Sequence, residues 1–276
     1  MPLGHLHKMR VAPGEPVRYS LRLDDEEFPL DDRLGEPLSI EASGRIHCTS
    51  CGRQTPRSYG QGHCYVCLTT LAQCDNCIVK PELCHFHAGT CREPEWGLAH
   101  CMQPHVVYVA NSSGVKVGIT RETQLSTRWI DQGAVQAMPV CQVSSRLDSG
   151  LWEVALKTLL NDRTDWRRML SGVPESVDLA AERTRVLEEL SVDPITLETV
   201  GTLPDAVPYP GDNSVREFNY PVIEYPAKVK SLTLDKTPEV SGELLGIKGQ
   251  YLILDTGVFN VRRHTGYEVR VRMRGG

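Results

Sequence analysis

The chain of 276 residues carries a formal net charge of −5 and 40% apolar residues, a balance that suits a soluble globular protein of two or three small domains. No stretch approaches the roughly 18 to 20 uninterrupted apolar residues of a membrane span, and the start Met1-Pro2-Leu3-Gly4-His5 lacks the apolar run of a secretory signal. A cytoplasmic setting is therefore expected, in which thiols stay reduced and clustered cysteines point to metal or redox chemistry instead of disulfides.

Residues 1–47 read as an N-terminal β-region: 17–23 alternates, and 38–40 and 45–47 look like short strands. Residues 48–104 are rich in cysteine and poor in long periodic segments. From 105 the pattern changes: 105–110 is a strand, Asn111-Ser112-Ser113-Gly114 a turn, and 115–120 a second strand. A helix is expected over 124–132, a strand over 136–144, and then Trp152, Ala155, Leu156, Leu159 and Leu160 follow the apolar stripe of a helix. Further helices are expected at 166–170 and 176–190. Residues 191–226 contain six prolines, beginning at Pro194, and form an acidic connector. Residues 227–276 return to short strands punctuated by Gly246, Gly249, Gly257 and Gly266, a pattern that fits a small barrel or curled sheet.

Charge is spread unevenly along this order. Residues 173–226 hold 3 basic and 11 acidic side chains, whereas residues 227–276 hold 9 basic and 5 acidic ones. Two mildly basic lobes flank an acidic connector, which permits phosphate contacts despite the net negative charge.

Nine of the ten cysteines lie between Cys48 and Cys101. Cys48-Thr49-Ser50-Cys51 and Cys64-Tyr65-Val66-Cys67 are two C-x2-C knuckles with twelve residues between them, the spacing of a zinc ribbon in which each tight turn aims two thiolates at one point. A second zinc is expected at Cys77, Cys84, Cys91 and Cys101, with Cys74, His85, His87 or His100 as substitutes. Cys141 stands alone in a strand and reads as core. Sites closed by four thiolates keep no open coordination position, so both ions are expected to be structural, replacing the apolar interior that this segment lacks. A redox dithiol would need one C-x2-C in a βαβ setting, and that setting is absent.

Residues 105–161 read as strand, strand, helix, strand, helix, with Val107-Tyr108-Val109, Lys116-Val117-Gly118-Ile119-Thr120, Arg128-Trp129 and Glu153 placed along them. This order resembles the GIY-YIG nuclease superfamily. The resemblance implies Tyr108 as general base or water-orienting hydroxyl and Lys116 in the place of the second tyrosine. It also implies Arg128 beside the pentavalent phosphorane and Glu153 as the Mg²⁺ ligand. The family's Tyr-Ile-Gly stands here as Lys116-Val117-Gly118, and its late asparagine is nearest to Asn161, with Asp162 or Asp165 as alternatives. Tyr108 and Lys116 share a sheet face only if the hairpin loop has an odd number of residues. The longer strings 89–96, 128–134 and 246–251 resemble a bacterial family of uncharacterised zinc-binding proteins, from which no activity can be imported.

Near the end, Arg262-Arg263 and the alternating Arg270 and Arg272 would give a β-module a basic face for nucleic-acid backbone. The expected architecture is thus α+β: an N-terminal β-region (1–47), a double zinc segment (48–104), a GIY-YIG-like ββαβα core (105–190), a connector (191–226) and a C-terminal β-module (227–276). The expected function is nucleic-acid recognition, DNA or RNA, with metal-dependent phosphodiester cleavage as its enzymatic form. A zinc-scaffolded adaptor for a protein partner is the alternative.

Overall fold

Strands from the two ends of the chain join in one sheet. The computed structural model describes residues 3–160, 164–192 and 202–273. The chain begins with β1 (Leu3–Ala12), β2 (Arg18–Leu23), β3 (Glu26–Pro29) and β4 (Pro37–Ile46). The cysteine-rich segment follows, with α1 (Tyr65–Thr70), a series of short 3-10 turns, and α2 (Pro94–His100). Next come β5 (His105–Asn111), β6 (Val115–Arg121), α3 (Leu125–Asp131), β7 (Gln136–Val143), α4 (Arg146–Leu156), α5 (Trp166–Leu170) and α6 (Leu179–Val192). The chain closes with β8 (Arg216–Glu217), β9 (Ser231–Leu232), β10 (Glu239–Lys248), β11 (Tyr251–Leu254), β12 (Gly257–Asn260) and β13 (Tyr267–Met273).

The larger sheet has nine strands in the order β3-β2-β1-β13-β4-β10-β11-β12-β9. The last strand, β13, lies between β1 and β4, so the N-terminal β-region and the C-terminal β-module are interleaved parts of one sheet. The small C-terminal barrel expected from the glycine spacing does not form. Among the described residues the sheet is open, with β3 and β9 at its edges. The glycines serve pairing instead: Gly249 at φ +60° starts the two-residue turn between Lys248 and Tyr251, a conformation that L side chains resist.

The second sheet has the order β6-β5-β7-β8, and β5-β6-α3-β7-α4 is the expected ββαβα run. Ser145 caps α4, its Oγ accepting from the Asp148 amide, and Asp165 caps α5. The β5–β6 pairing sets Asn111 opposite Val115, which leaves a three-residue loop, and sets Tyr108 opposite Gly118 and Ala110 opposite Lys116. Tyr108 and Lys116 therefore face the same way. Gly118 is needed there, because a Cβ would lie 2.5 Å from the Tyr108 hydroxyl.

Alternation on β5 divides the protein into layers. Val107 and Val109 pack with Ala155 and Leu156 of α4 and Leu179, Val186 and Leu190 of α6. Val106, Tyr108 and Ala110 face the other way, into a core shared with Trp129 and Ile130 of α3 and with Leu6, Met9, Ile247 and Leu252 of the large sheet. Helix α3 is thus the wedge between the two sheets. The described part of the acidic connector runs as extended chain along both sheets, Val207 bridging Gln142 and Val222 bridging Gly246. No helix among the described residues is long and apolar enough to cross a membrane.

Candidate zinc centre and basic cleft

The first knuckle turns at Gly52, at φ +69°, whose amide donates to the Cys48 carbonyl at 2.9 Å. The second opens α1: Cys64 is its N-cap, and the Cys67 amide donates to the Cys64 sulfur at 3.5 Å. That donor holds the Cys64 thiol below its ordinary pKa, which favours the thiolate. The two knuckles are joined where the Thr49 amide donates to the Gly62 carbonyl at 2.8 Å. Together they bring Cys48, Cys51, Cys64 and Cys67 into a group with all sulfurs within 4.8 Å of one another. Cys51 Sγ and Cys64 Sγ are 3.7 Å apart. Tetrahedral Zn–S bonds of about 2.3 Å place sulfurs about 3.8 Å apart, so the four thiols have the geometry of a closed zinc site. Three of them are buried, with Leu71 as their apolar cover.

Cys77, Cys84, Cys91 and Cys101 line one small cavity, together with Asp75 and His85. The substitutes divide clearly. Cys74 lies at the wall of a different cleft, His87 is exposed, and His100 stacks on Trp96 at 4.3 Å with its Nδ1 on the Trp96 carbonyl. His85 remains beside the cavity, and Asp75, Cys77 and His85 bring their ligand atoms within 4.8 Å of one another. Asp75 is also bound by Arg92 at 2.7 Å. Cys141 is buried in the core, as its isolation implied, and burial pushes its thiol up to about 12.

The cysteine-rich segment is fixed to the ββαβα core along one stripe of α4. Arg146 donates to the Ile78 carbonyl at 2.6 Å, and Gly150 lets the Pro81–Glu82 backbone come so close that a Cβ would lie 2.4 Å from the Glu82 amide. Glu153 lies one turn further along this helix. Its carboxylate is largely covered and ion-pairs with Lys157 at 3.3 Å.

Three of the four residues suggested by the nuclease resemblance gather in one region. The Tyr108 hydroxyl is fully buried, 3.4 Å from Gln132 Oε1, with Arg128 beside it. Burial pushes the phenol above its ordinary pKa, and Arg128 partly offsets the rise. Glu153 acts electrostatically on both Tyr108 and Arg128. Lys116, though on the same face, carries its ammonium to Thr164 Oγ1 at 2.6 Å. Among the described residues no cluster of three metal-ligating side chains includes Glu153. Asp165 is occupied in capping α5, and Asn161 and Asp162 lie outside the described residues.

Arg128 opens onto a cleft of 830 Å³ where the large sheet, the cysteine-rich segment and α3 meet. Lys8, Arg22 and Arg262 share it, with His7 and His63, and among the described residues Asp75 is its one acidic lining residue. Lys8 is paired with Asp131. Arg128 and Arg262 form no ion pair among the described residues; Arg128 acts on Arg262 as a like charge that Asp131 partly offsets, while Tyr108, Asp131 and Glu153 favour the charge of Arg128. Of the four arginines expected to contact nucleic acid, Arg262 alone lines this cleft. Arg263 pairs with Asp235 at 3.1 Å, Arg272 pairs with Glu41 at 2.7 Å, and Arg270 is exposed on the same face of β13 as Arg272. Lys8 and Arg22 of the cleft have no local sequence signal, because they converge only through the pairing of β1 with β2.

A protein-family profile described as "Protein of unknown function (DUF2797)" matches residues 35–269. Comparisons with curated proteins and with solved structures give no match. The profile takes in the knuckles, the cleft arginines Arg128 and Arg262 and most of the large sheet, and on that extent the chain belongs to the DUF2797 family.

Proposed function

We propose that the protein binds nucleic acid in the cleft where its large sheet, its cysteine-rich segment and α3 meet, with the zinc-stapled segment as one wall. The observation that carries this reading is the pair of guanidiniums, Arg128 and Arg262, held in one cleft with no direct ion pair to a carboxylate among the described residues. Arg262 is partly buried beside the like charge of Arg128, and a bridging phosphodiester would meet both guanidiniums with charge-assisted hydrogen bonds. In this reading the second zinc is held by Cys77, Cys84, Cys91 and Cys101, so that two structural ions shape the wall. The test is a titration with single- and double-stranded DNA and RNA at two salt concentrations, beside metal analysis of the purified protein. Salt-sensitive binding and two zinc equivalents per chain support the reading. An absence of salt-sensitive binding overturns it and leaves the adaptor, for which exposed Tyr65, Val66, Val79, Leu83 and Leu98 would offer an apolar surface.

The gathering of Tyr108, Arg128 and Glu153 favours a second, enzymatic reading: hydrolysis of the bound phosphodiester. Arg128 would take up charge on the phosphorane, and Glu153 would hold Mg²⁺ mainly through waters and substrate phosphates, as single carboxylates do. A phenol buried beneath Arg128 must be uncovered before it can orient water, so this reading requires α3 or the 76–83 segment to shift when substrate binds. Magnesium-dependent cleavage that disappears in folded Glu153→Ala and Arg128→Ala variants supports it. Binding without cleavage leaves the binding function alone.

A further inference from the structure

His5, on β1, stands directly opposite Glu268 on β13. Glu268 sits at the irregularity where the β13–β4 register shifts between Tyr267 and Val269, a bulge of the kind that re-aims side chains. His47 follows the end of β4 and meets the His5 ring edge-on, with centroids 4.8 Å apart. His5 Nε2 and His47 Nδ1 are 2.8 Å apart, and His5, His47 and Glu268 each bring one ligand atom within 4.8 Å of those of the other two.

The surroundings orient these groups. His5 Nδ1 meets Asp24 Oδ1 at 2.7 Å, while the other Asp24 oxygen accepts from the His5 amide at 3.1 Å. A carboxylate on Nδ1 fixes the ring with its proton there, leaving the Nε2 lone pair directed at His47. Glu268 is buried and held ionised by hydrogen bonds from Ser43 and from Arg45, which reaches Oε2 at 2.9 and 2.6 Å. Both histidines are only half-buried, so one side of the group is open to solvent.

We propose that His5, His47 and Glu268 form a binding site for one exchangeable transition-metal dication of the Zn²⁺ or Fe²⁺ class, with Asp24 as the positioning residue behind His5. Two imidazoles and one carboxylate make a donor set that hard Mg²⁺ and Ca²⁺ do not prefer and that leaves a coordination position for water or a ligand. Metal–nitrogen bonds of about 2.0–2.1 Å at tetrahedral angles place the nitrogens about 3.3 Å apart. The rings therefore part by roughly half an ångström as the ion replaces the proton they share. The inference does not depend on the cleft or on what the cleft binds.

The test uses the full chain with its thiolate sites already loaded with zinc, titrated with Co²⁺ as the probe. One further equivalent is expected, showing weak d–d absorption without the sulfur-to-metal charge-transfer band that cobalt at a cysteine site would give. His5→Gln and Glu268→Gln should weaken this binding more than tenfold while thiolate-bound zinc and the melting transition are retained. Asp24→Asn, which keeps all three ligands, should weaken it about 10–100-fold. No additional equivalent in the unaltered protein overturns the proposal. Undiminished affinity in folded His5→Gln, the more exposed of the two substituted ligands, does so as well.

Discussion

Gln250 donates through Nε2 to Asp131 Oδ1 at 2.9 Å across the junction of the two sheets. The same amide closes on the main chain of β1, accepting from the Met9 amide at 2.8 Å and donating to the Met9 carbonyl at 3.2 Å. Asp131 also holds Lys8, and its carbonyl meets Gly249 so closely that a Cβ there would lie 2.9 Å away. One side chain in the β10–β11 hairpin thus ties together β1, α3 and the hairpin. Gln250→Ala strands the buried Met9 groups, and a cost of about 1–3 kcal/mol is expected. Urea unfolding of the two proteins, compared at equal m, measures it.

The contact at Gly150 gives a second expectation. Gly150→Ala would press a methyl group against the Pro81–Glu82 main chain, which cannot retreat as a flexible side chain would. The cysteine-rich segment should lift from α4, at a cost of about 1–3 kcal/mol. Limited proteolysis should then cut within residues 71–93 faster than in the unaltered protein, with the core fragment resistant.

Cys64→Ser should remove one zinc equivalent and unfold the cysteine-rich segment, since a single ligand change opens a site whose ion contributes roughly 10–16 kcal/mol in peptide systems. Acid should act in the same direction, because thiolates must be protonated as zinc leaves. Zinc release followed with a chromophoric chelator against pH checks both. Retention of the full zinc content by Cys64→Ser would exclude Cys64 as a ligand.

Lys248 is fully buried, its ammonium donating to the Gly172 carbonyl at 3.0 Å between the rings of Tyr220 and Tyr225. Burial pushes its pKa from 10.5 down to about 8. Between these values the unfolded chain holds more protons than the folded one, so Lys248 makes stability rise with pH. The increment is complete above 10.5 and lost as pH falls to about 8. Lys248→Met should abolish this part of the pH dependence, as read from the difference between the two stability profiles over that window.

Much of the site was legible because it is local. Cys48, Cys51, Cys64 and Cys67 are set by two tight turns, and the ββαβα run is marked by turn residues and a change of period at Asn111 and Trp152. What escaped is non-local or breaks the period. β1 has no alternation of its own to mark it within the β-region, because the register shift between His7 and Arg10 moves its buried residues from Gly4 and Leu6 to Met9. The union of the chain ends has no local mark, since Leu3 pairs with Arg270 and nothing near either residue records it. Arg270 and Arg272 alternate onto an exposed face of β13, where Glu41 on the neighbouring strand takes one of the two charges. Strings 128–134 and 246–251 meet only in the fold, where the end of α3 and the β10–β11 turn touch through Asp131, Gly249 and Gln250.

The reading of the cleft rests on Arg128 and Arg262 acting together on a phosphate backbone. The most direct measurement is the slope of log affinity against log salt for a single-stranded oligonucleotide, in the unaltered protein and in folded Arg128→Gln/Arg262→Gln. Weaker binding and a slope smaller in magnitude by roughly 2 are expected, one unit for each phosphate contact removed. An identical slope and affinity in the two proteins would contradict the account.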